Sequence, residues 1–159
     1  MARQLSKKSP VKNVKINKAK KPVVHQGVKG PFTYAVGRRK VATARIRLYA
    51  GRGESMVNGM PIMEYFKTIP LVKGVLDRPY IVTDSVGKFF ITVKTTGSGI
   101  HSQLGAVIHG VSRALTKLDP SFKSPLKKEG FLTRDSRMKE SRKIGKGGKA
   151  RRTKQSPKR

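Results

Sequence analysis

The chain contains no cysteine. That absence excludes disulfides, thiolate metal centres and thiol nucleophiles, and it fits an intracellular protein without requiring one. Acids are scarce too, with 8 Asp and Glu against 37 Lys and Arg, for a formal net charge of +29 over 159 residues. General acid–base chemistry needs a nucleophile, a base and an orienting group in spatial order, and so few dispersed acids suggest none. His25, His101 and His109 are too far apart for a zinc site and have no carboxylate pair or cysteine nearby. No apolar run reaches the roughly 18 residues that span a bilayer, and the N-terminus lacks the apolar stretch of a secretory signal. The sequence therefore reads as a soluble chain with no enzymatic centre, no cofactor, and neither a membrane nor a small-molecule partner.

What is abundant is positive charge, unevenly placed. Residues 123–159 hold 15 Lys and Arg against Glu129, Asp135 and Glu140, a net charge of +12, and residues 1–31 hold nine basic residues and no acid. Neither segment can bury enough apolar surface to offset chain entropy, and like charges repel, so both are expected to be disordered in isolation. A polyanion must then supply the tail's structure. A compact globule at this charge would be strained by self-repulsion unless bound phosphates neutralised part of it. A rival reading of the N-terminal arm is an organellar transit peptide, also acid-poor, but such peptides favour Arg and Ser whereas this arm has a single Arg and many Lys.

Apolar residues concentrate in the middle, which divides the chain into three parts. Residues 1–31 are expected to form a basic disordered extension, residues 32–122 a globular domain, and residues 123–159 an extended basic tail that a polyanion, RNA on the reading developed below, puts in order. Phe32-Thr33-Tyr34-Ala35-Val36 leads through Gly37-Arg38-Arg39-Lys40 into a period-two run in which Ala42, Ala44, Ile46 and Leu48 face a core. Thr43, Arg45, Arg47 and Tyr49 then face out, giving a hairpin with a cationic connection and a cationic outer face. Residues 54–59 read as a short strand closed by the Asn58-Gly59 turn. Pro61 starts a short helix with Ile62, Tyr65 and Phe66 on one side.

Beyond it, Ile69, Leu71, Val72, Val75 and Leu76 fit a second helix, and Tyr80-Ile81-Val82 fits a strand. Residues 88–95 alternate as a strand with Phe89, Ile91 and Val93 on one face. After the Gly97-Ser98-Gly99 loop comes a helix with Leu104, Val107, Ile108, Val111, Leu115 and Leu118 on one side, stopped by Asp119-Pro120. Gly105 and Gly110 each cost about 1 kcal/mol of helix propensity, so a neighbouring backbone or nucleic acid is expected close by.

Strand, glycine-rich loop and helix together present backbone N–H groups to a phosphate. A nucleotide P-loop is excluded, because no Lys follows Gly97, Gly99 or Gly105 at the helix start. An RNA phosphate at residues 98–103 is the expected ligand, with a turn of purely structural role as the rival. Gly37-Arg38-Arg39-Lys40 sets three cations beside Arg45 and Arg47, a nucleic-acid surface unless these are ordinary exposed arginines. Tyr49 either stacks on a base or simply packs. His101 touches phosphate or caps the turn, and His109 is structural. Two further alternatives are a chromatin-like DNA binder, since charge alone does not separate DNA from RNA, and a nucleotide-dependent RNA enzyme using the Gly97 loop.

At these residues the chain resembles the small ribosomal subunit protein S nine family, of bacterial and organellar type. The likeness runs through Gly37-Arg38-Arg39-Lys40 with Ala44-Arg45-Ile46, Val57-Asn58-Gly59 with Glu64-Tyr65-Phe66, and residues 97–115 with Gln103, Gly105-Ala106, His109-Gly110 and Arg113-Ala114-Leu115. It continues through Leu132-Thr133-Arg134-Asp135 with Arg137, then Ala150-Arg151-Arg152 and the terminal Lys158-Arg159. The chain departs from the pattern at Ser98, within the expected glycine triplet, at Ile108, where an Arg is expected, and at Pro157, near an ending that has Phe in the family.

The resemblance implies an α+β domain, a four-stranded sheet with helices packed on one face, in the head of the small subunit. Its partners would be small-subunit ribosomal RNA, neighbouring ribosomal proteins of the head and the peptidyl-site transfer RNA. The domain's RNA contacts would be Arg38, Arg39, Lys40, Arg45, Arg47, Ser98, Gly99, His101, Gln103 and Arg113. Those of the tail would be Arg134, Arg137, Arg142, Lys143, Lys146, Lys149, Arg151, Arg152 and Lys154. Lys158 and Arg159 would reach the transfer RNA during translation. The expected location is a cytoplasmic ribosome, with an organellar ribosome as the alternative.

Overall fold

The computed structural model describes residues 30–139 and 141; the expectations for residues 1–29, 140 and 142–159 lie outside the described residues. Strand β1 (Phe32–Arg39) pairs antiparallel with β2 (Ala42–Ala50), and β2 pairs antiparallel with β5 (Phe89–Thr96). Between β2 and β5 come β3 (Met56–Val57), β4 (Met60–Pro61), α1 (Ile62–Tyr65) and α2 (Val72–Val82). After β5 follow α3 (Ile100–Leu118), a 3-10 turn (Pro120–Phe122) and α4 (Lys123–Lys128). The sheet is mixed and five-stranded, in the order β1-β2-β5-β3-β4, with β3 parallel to β5.

The α+β class stands, but the expected four strands become five. The extra strand arises because Asn58 and Gly59 both adopt positive φ, 50° and 82°, folding β4 back on β3 as a two-residue hairpin. Tyr80, Ile81 and Val82 are a second correction: their β-branched and aromatic character suggests a strand, yet they close α2. Pro79 is buried inside that helix, and Tyr80 and Val82 pack on the core, so tertiary burial overrides local preference. The helix ends where Ser85 N–H donates to Tyr80 O at 2.9 Å and the Thr83 hydroxyl donates to Pro79 O at 2.9 Å.

Ala42, Ala44, Ile46 and Leu48 are buried as the alternation requires, and Ile91, Val93 and Thr95 continue that face across β5. Helix α3 lies over this side and presents Leu104, Val107, Val111 and Leu115 to it, while Ile108 is half-buried and Leu118 is exposed. Close approach depends on small residues. A Cβ on Gly110 would sit 2.5 Å from Ile46 Cδ1 and 2.9 Å from Gly37 N, and one on Gly37 would overlap Ala106 O. The neighbouring backbone expected near Gly110 is therefore β1 itself. Near Gly105 the neighbour is a side chain, because a Cβ there would run into Arg39 Cδ. Residues 123–128 form α4, whose Leu126 is fully buried in the core, with Phe131 and Leu132 packed beside it.

Candidate nucleic-acid interface

The face of the sheet opposite α3 is set by strand alternation and register. Successive rows across β1, β2 and β5 are Phe32–Tyr49–Phe90, Tyr34–Arg47–Thr92, Val36–Arg45–Lys94 and Arg38–Thr43–Thr96. Four cations, Arg38, Arg45, Arg47 and Lys94, thus share one exposed surface, and no acid lies on any of these three strands. Like charges this close are poorly placed without a counterion, so the face suits a polyanion. Tyr34, Arg45, Arg47, Thr92 and Lys94 line a shallow groove here that Asn58 and Gly59 close at one side.

The first row is aromatic. Tyr49 is 4 % exposed and stacks on Phe90, with ring centroids 5.1 Å apart and planes 13° apart, so it packs instead of offering a ring to a ligand. The accessible rings are Phe32 and Tyr34, and the Arg47 guanidinium sits 5.1 Å from the Phe32 centroid.

The cationic connection is tighter than its sequence suggests. Gly37, Arg38 and Arg39 belong to β1, and only Lys40, at φ 52°, and Val41 form the turn. Strand alternation then separates the three cations. Arg38 lies on the outer face and Lys40 on the turn, while Arg39 crosses to the α3 side, over Gly105, and pairs with Asp135 at 3.2 Å. Arg137 meets the same carboxylate with two hydrogen bonds of 3.0 Å, and these, aided by the Arg39 charge, hold Asp135 well below the usual carboxylate range.

The β5–α3 loop joins this end of the sheet. Gly97 (φ 79°) and Ser98 (φ 54°) turn the chain against the hairpin, and a Cβ on Gly97 would come 2.5 Å from Val41 O. Arg134 donates to Lys40 O at 3.3 Å, so Lys40, the exposed Ser98 and Gly99, and Arg134 gather at one end. His101 follows, exposed, in the first turn of α3, whose N-cap residue Gly99 provides no side-chain cap. Gln103 has internal work: its Oε1 accepts from Tyr65 OH at 2.7 Å and its Nε2 donates to Gly97 O at 3.1 Å. Asn58 braces the same region, accepting from Thr95 N–H at 2.9 Å and donating to Thr95 Oγ1 at 3.0 Å.

Arg113 also serves the fold. It donates to Val36 O, Lys117 donates to Tyr34 O at 3.0 Å, and His109 Nδ1 accepts from Arg38 N–H at 3.2 Å. These residues recur every fourth position on α3, so one helix stripe satisfies the free edge of β1 and blocks further strand addition. Burial first, and the Arg113 charge second, lower the pKa of His109, in keeping with its structural reading.

Lys94 and Tyr34 were not among the sequence-derived site residues. The signal was present for Lys94, since placing Ile91 and Val93 inward puts residue 94 outward. Of the remaining expected contacts, Arg142, Lys143, Lys146, Lys149, Arg151, Arg152, Lys154, Lys158 and Arg159 lie outside the described residues. Among the described residues no cluster of His, Asp and Glu could hold a metal ion, and no helix is long and apolar enough to cross a membrane.

Comparison with known proteins places these features in a lineage. The curated small ribosomal subunit protein uS9 of Maridesulfovibrio salexigens is 48% identical over 119 residues, covering 74% of this chain and 89% of that protein. A family model described as ribosomal protein S9/S16 matches residues 37–159, from the close-packed Gly37 to the last Arg. The chain belongs to the ribosomal protein S9/S16 family.

Proposed function

We propose that this protein is a structural constituent of the small ribosomal subunit, binding its ribosomal RNA through the outer sheet face and the hairpin end. The carrying observation is the acid-free surface of Arg38, Arg45, Arg47 and Lys94 on a domain whose other face is covered by helices. Phosphate contacts there release counterions and fix orientation, and the exposed Phe32 and Tyr34 offer rings to unstacked bases. Ser98, Gly99 and His101 extend the phosphate-facing surface around the loop. Arg39, Gln103 and Arg113 act mainly by holding this frame. The role is architectural, with no catalytic step, in the subunit head of a cytoplasmic ribosome.

The basic C-terminal segment extends the same chemistry. Lys158 and Arg159, at its tip, contact the peptidyl-site transfer RNA; the support is the family membership together with the charge of that segment. Co-sedimentation of the tagged full chain with small subunits through a high-salt cushion tests the first part, and its absence from that fraction would refute it. Deleting Lys158 and Arg159 should leave co-sedimentation intact and weaken peptidyl-site transfer RNA binding. Normal transfer RNA binding by such subunits would refute the tip contact.

A further inference from the structure

We propose that the groove between α1, α2 and β5 is a docking surface for a polypeptide, another protein of the same particle, which inserts apolar side chains into it. This rests on the ribosomal reading above and adds a second, chemically different face to it. Residues 54–88 carry Glu54, Glu64, Asp77 and Asp84 against Lys67, Lys73, Arg78 and Lys88, a net charge of zero in a chain of +29. Phosphate binding needs uncompensated cations, and this segment has none to spare.

The same segment exposes large apolar side chains: Met60, Met63, Leu71, Ile81 and Val86 are 46–86 % exposed. Two of these, Met63 and Val86, border a groove of about 430 Å³ that Ile62, Leu76, Tyr80 and Phe89 also line. Lys73 and Asp77, one helical turn apart on α2, stand at its rim. An apolar floor with a sparse, charge-balanced rim is the composition of a protein–protein contact and unlike that of an RNA-binding surface. The occupant is therefore a helix or extended segment with aliphatic or aromatic side chains, and with one acid and one base to meet Lys73 and Asp77. The domain is two-sided: its bare sheet face meets RNA and its α1–α2 side meets protein.

A photo-crosslinking phenylalanine analogue at Met63, in purified small subunits carrying the full chain, tests this, with the same analogue at Lys94 as the companion. Met63 should yield an adduct with a different subunit protein, and Lys94 an adduct with ribosomal RNA. An RNA adduct, an adduct with a second copy of this chain, or no adduct at Met63 overturns the proposal. Failure at Lys94 alone overturns the outer-face reading and leaves the groove standing. In addition, Met63→Glu with Val86→Glu should cut incorporation into protein-containing subunits at least tenfold while leaving affinity for a ribosomal RNA fragment unchanged. Undiminished incorporation, or an equal loss of RNA affinity, counts against the groove.

Discussion

Gly37→Ala adds a single methyl group where β1 and α3 touch backbone to backbone. The new Cβ would overlap Ala106 O and Gly110 N and stand 2.8 Å from Gly110 Cα. Alanine has its own advantage in a strand, about 0.5–1 kcal/mol from the lower entropy of the unfolded chain. Against it, overpacking in a filled core costs about 1–3 kcal/mol, and more where nothing can yield. Here the obstructing atoms are main chain, so no rotamer change relieves them, and α3 must lift from β1. Lifting also breaks the hydrogen bonds of His109, Arg113 and Lys117 with the β1 edge. The expected net loss is about 3 kcal/mol, or more than about 10 °C in Tm for a domain of this size. Urea unfolding of the full chain followed by circular dichroism measures it, with Gly74→Ala as the matched control. Gly74 lies exposed within α2 with nothing within 4 Å of its Cβ position, so alanine there should stabilise by about 1 kcal/mol. A Gly37→Ala protein within about 0.5 kcal/mol of the parent would refute the close-packing account.

Two further outcomes follow from the site. His109 has a folded pKa below its ordinary 6.5, so the unfolded chain binds the proton more readily. Its contribution is fully present above pH 6.5 and is lost as pH falls from there toward the folded pKa; His109→Gln should flatten that part of the stability profile, and an unchanged profile would contradict the assignment. Replacing Arg45, Arg47 and Lys94 together by alanine should leave Tm unchanged and reduce the salt dependence of ribosomal RNA binding, by about one in log–log slope for each phosphate that these cations neutralise. An unaltered slope would remove these residues from the interface.

The strands of the hairpin, β5 and α3 were legible because period-two and helical apolar spacing map directly onto one buried face each. The Asn58-Gly59 turn was legible as well, since few pairs tolerate positive φ at both positions. Tyr80-Ile81-Val82 misled because strand preference in so short a run is decided by what buries it, and here α2 packs on the core. The strand count slipped for a related reason: β4 is two residues long and includes Pro61, so it has almost no pattern to read.

At the site, alternation put Arg45 and Arg47 on the outer face, where they lie, but the sequence grouped Arg39 with Arg38 and Lys40. Arg39 is one residue from Arg38 and faces the opposite way, where Asp135, 96 positions later, takes its charge. That pairing, the Gln103–Tyr65 bond and the stripe of His109, Arg113 and Lys117 on the β1 edge are long-range facts, invisible to local spacing. Lys94 could have been read from the alternation of β5. The neutral α1–α2 side was likewise countable, though only the fold shows that Met63 and Val86 border one groove with Leu76, Tyr80 and Phe89.

The most direct measurement of the central claim is the affinity of the full chain for a folded fragment of small-subunit head ribosomal RNA against duplex DNA of equal length, at one physiological salt concentration. Charge alone would bind both alike, whereas the proposed interface, with its outer face, loop and accessible rings, would favour a folded RNA. The account predicts tighter binding to the RNA by about a thousandfold, the scale that separates specific from non-specific nucleic-acid complexes. Equal affinities, or a preference for the duplex DNA, would contradict it.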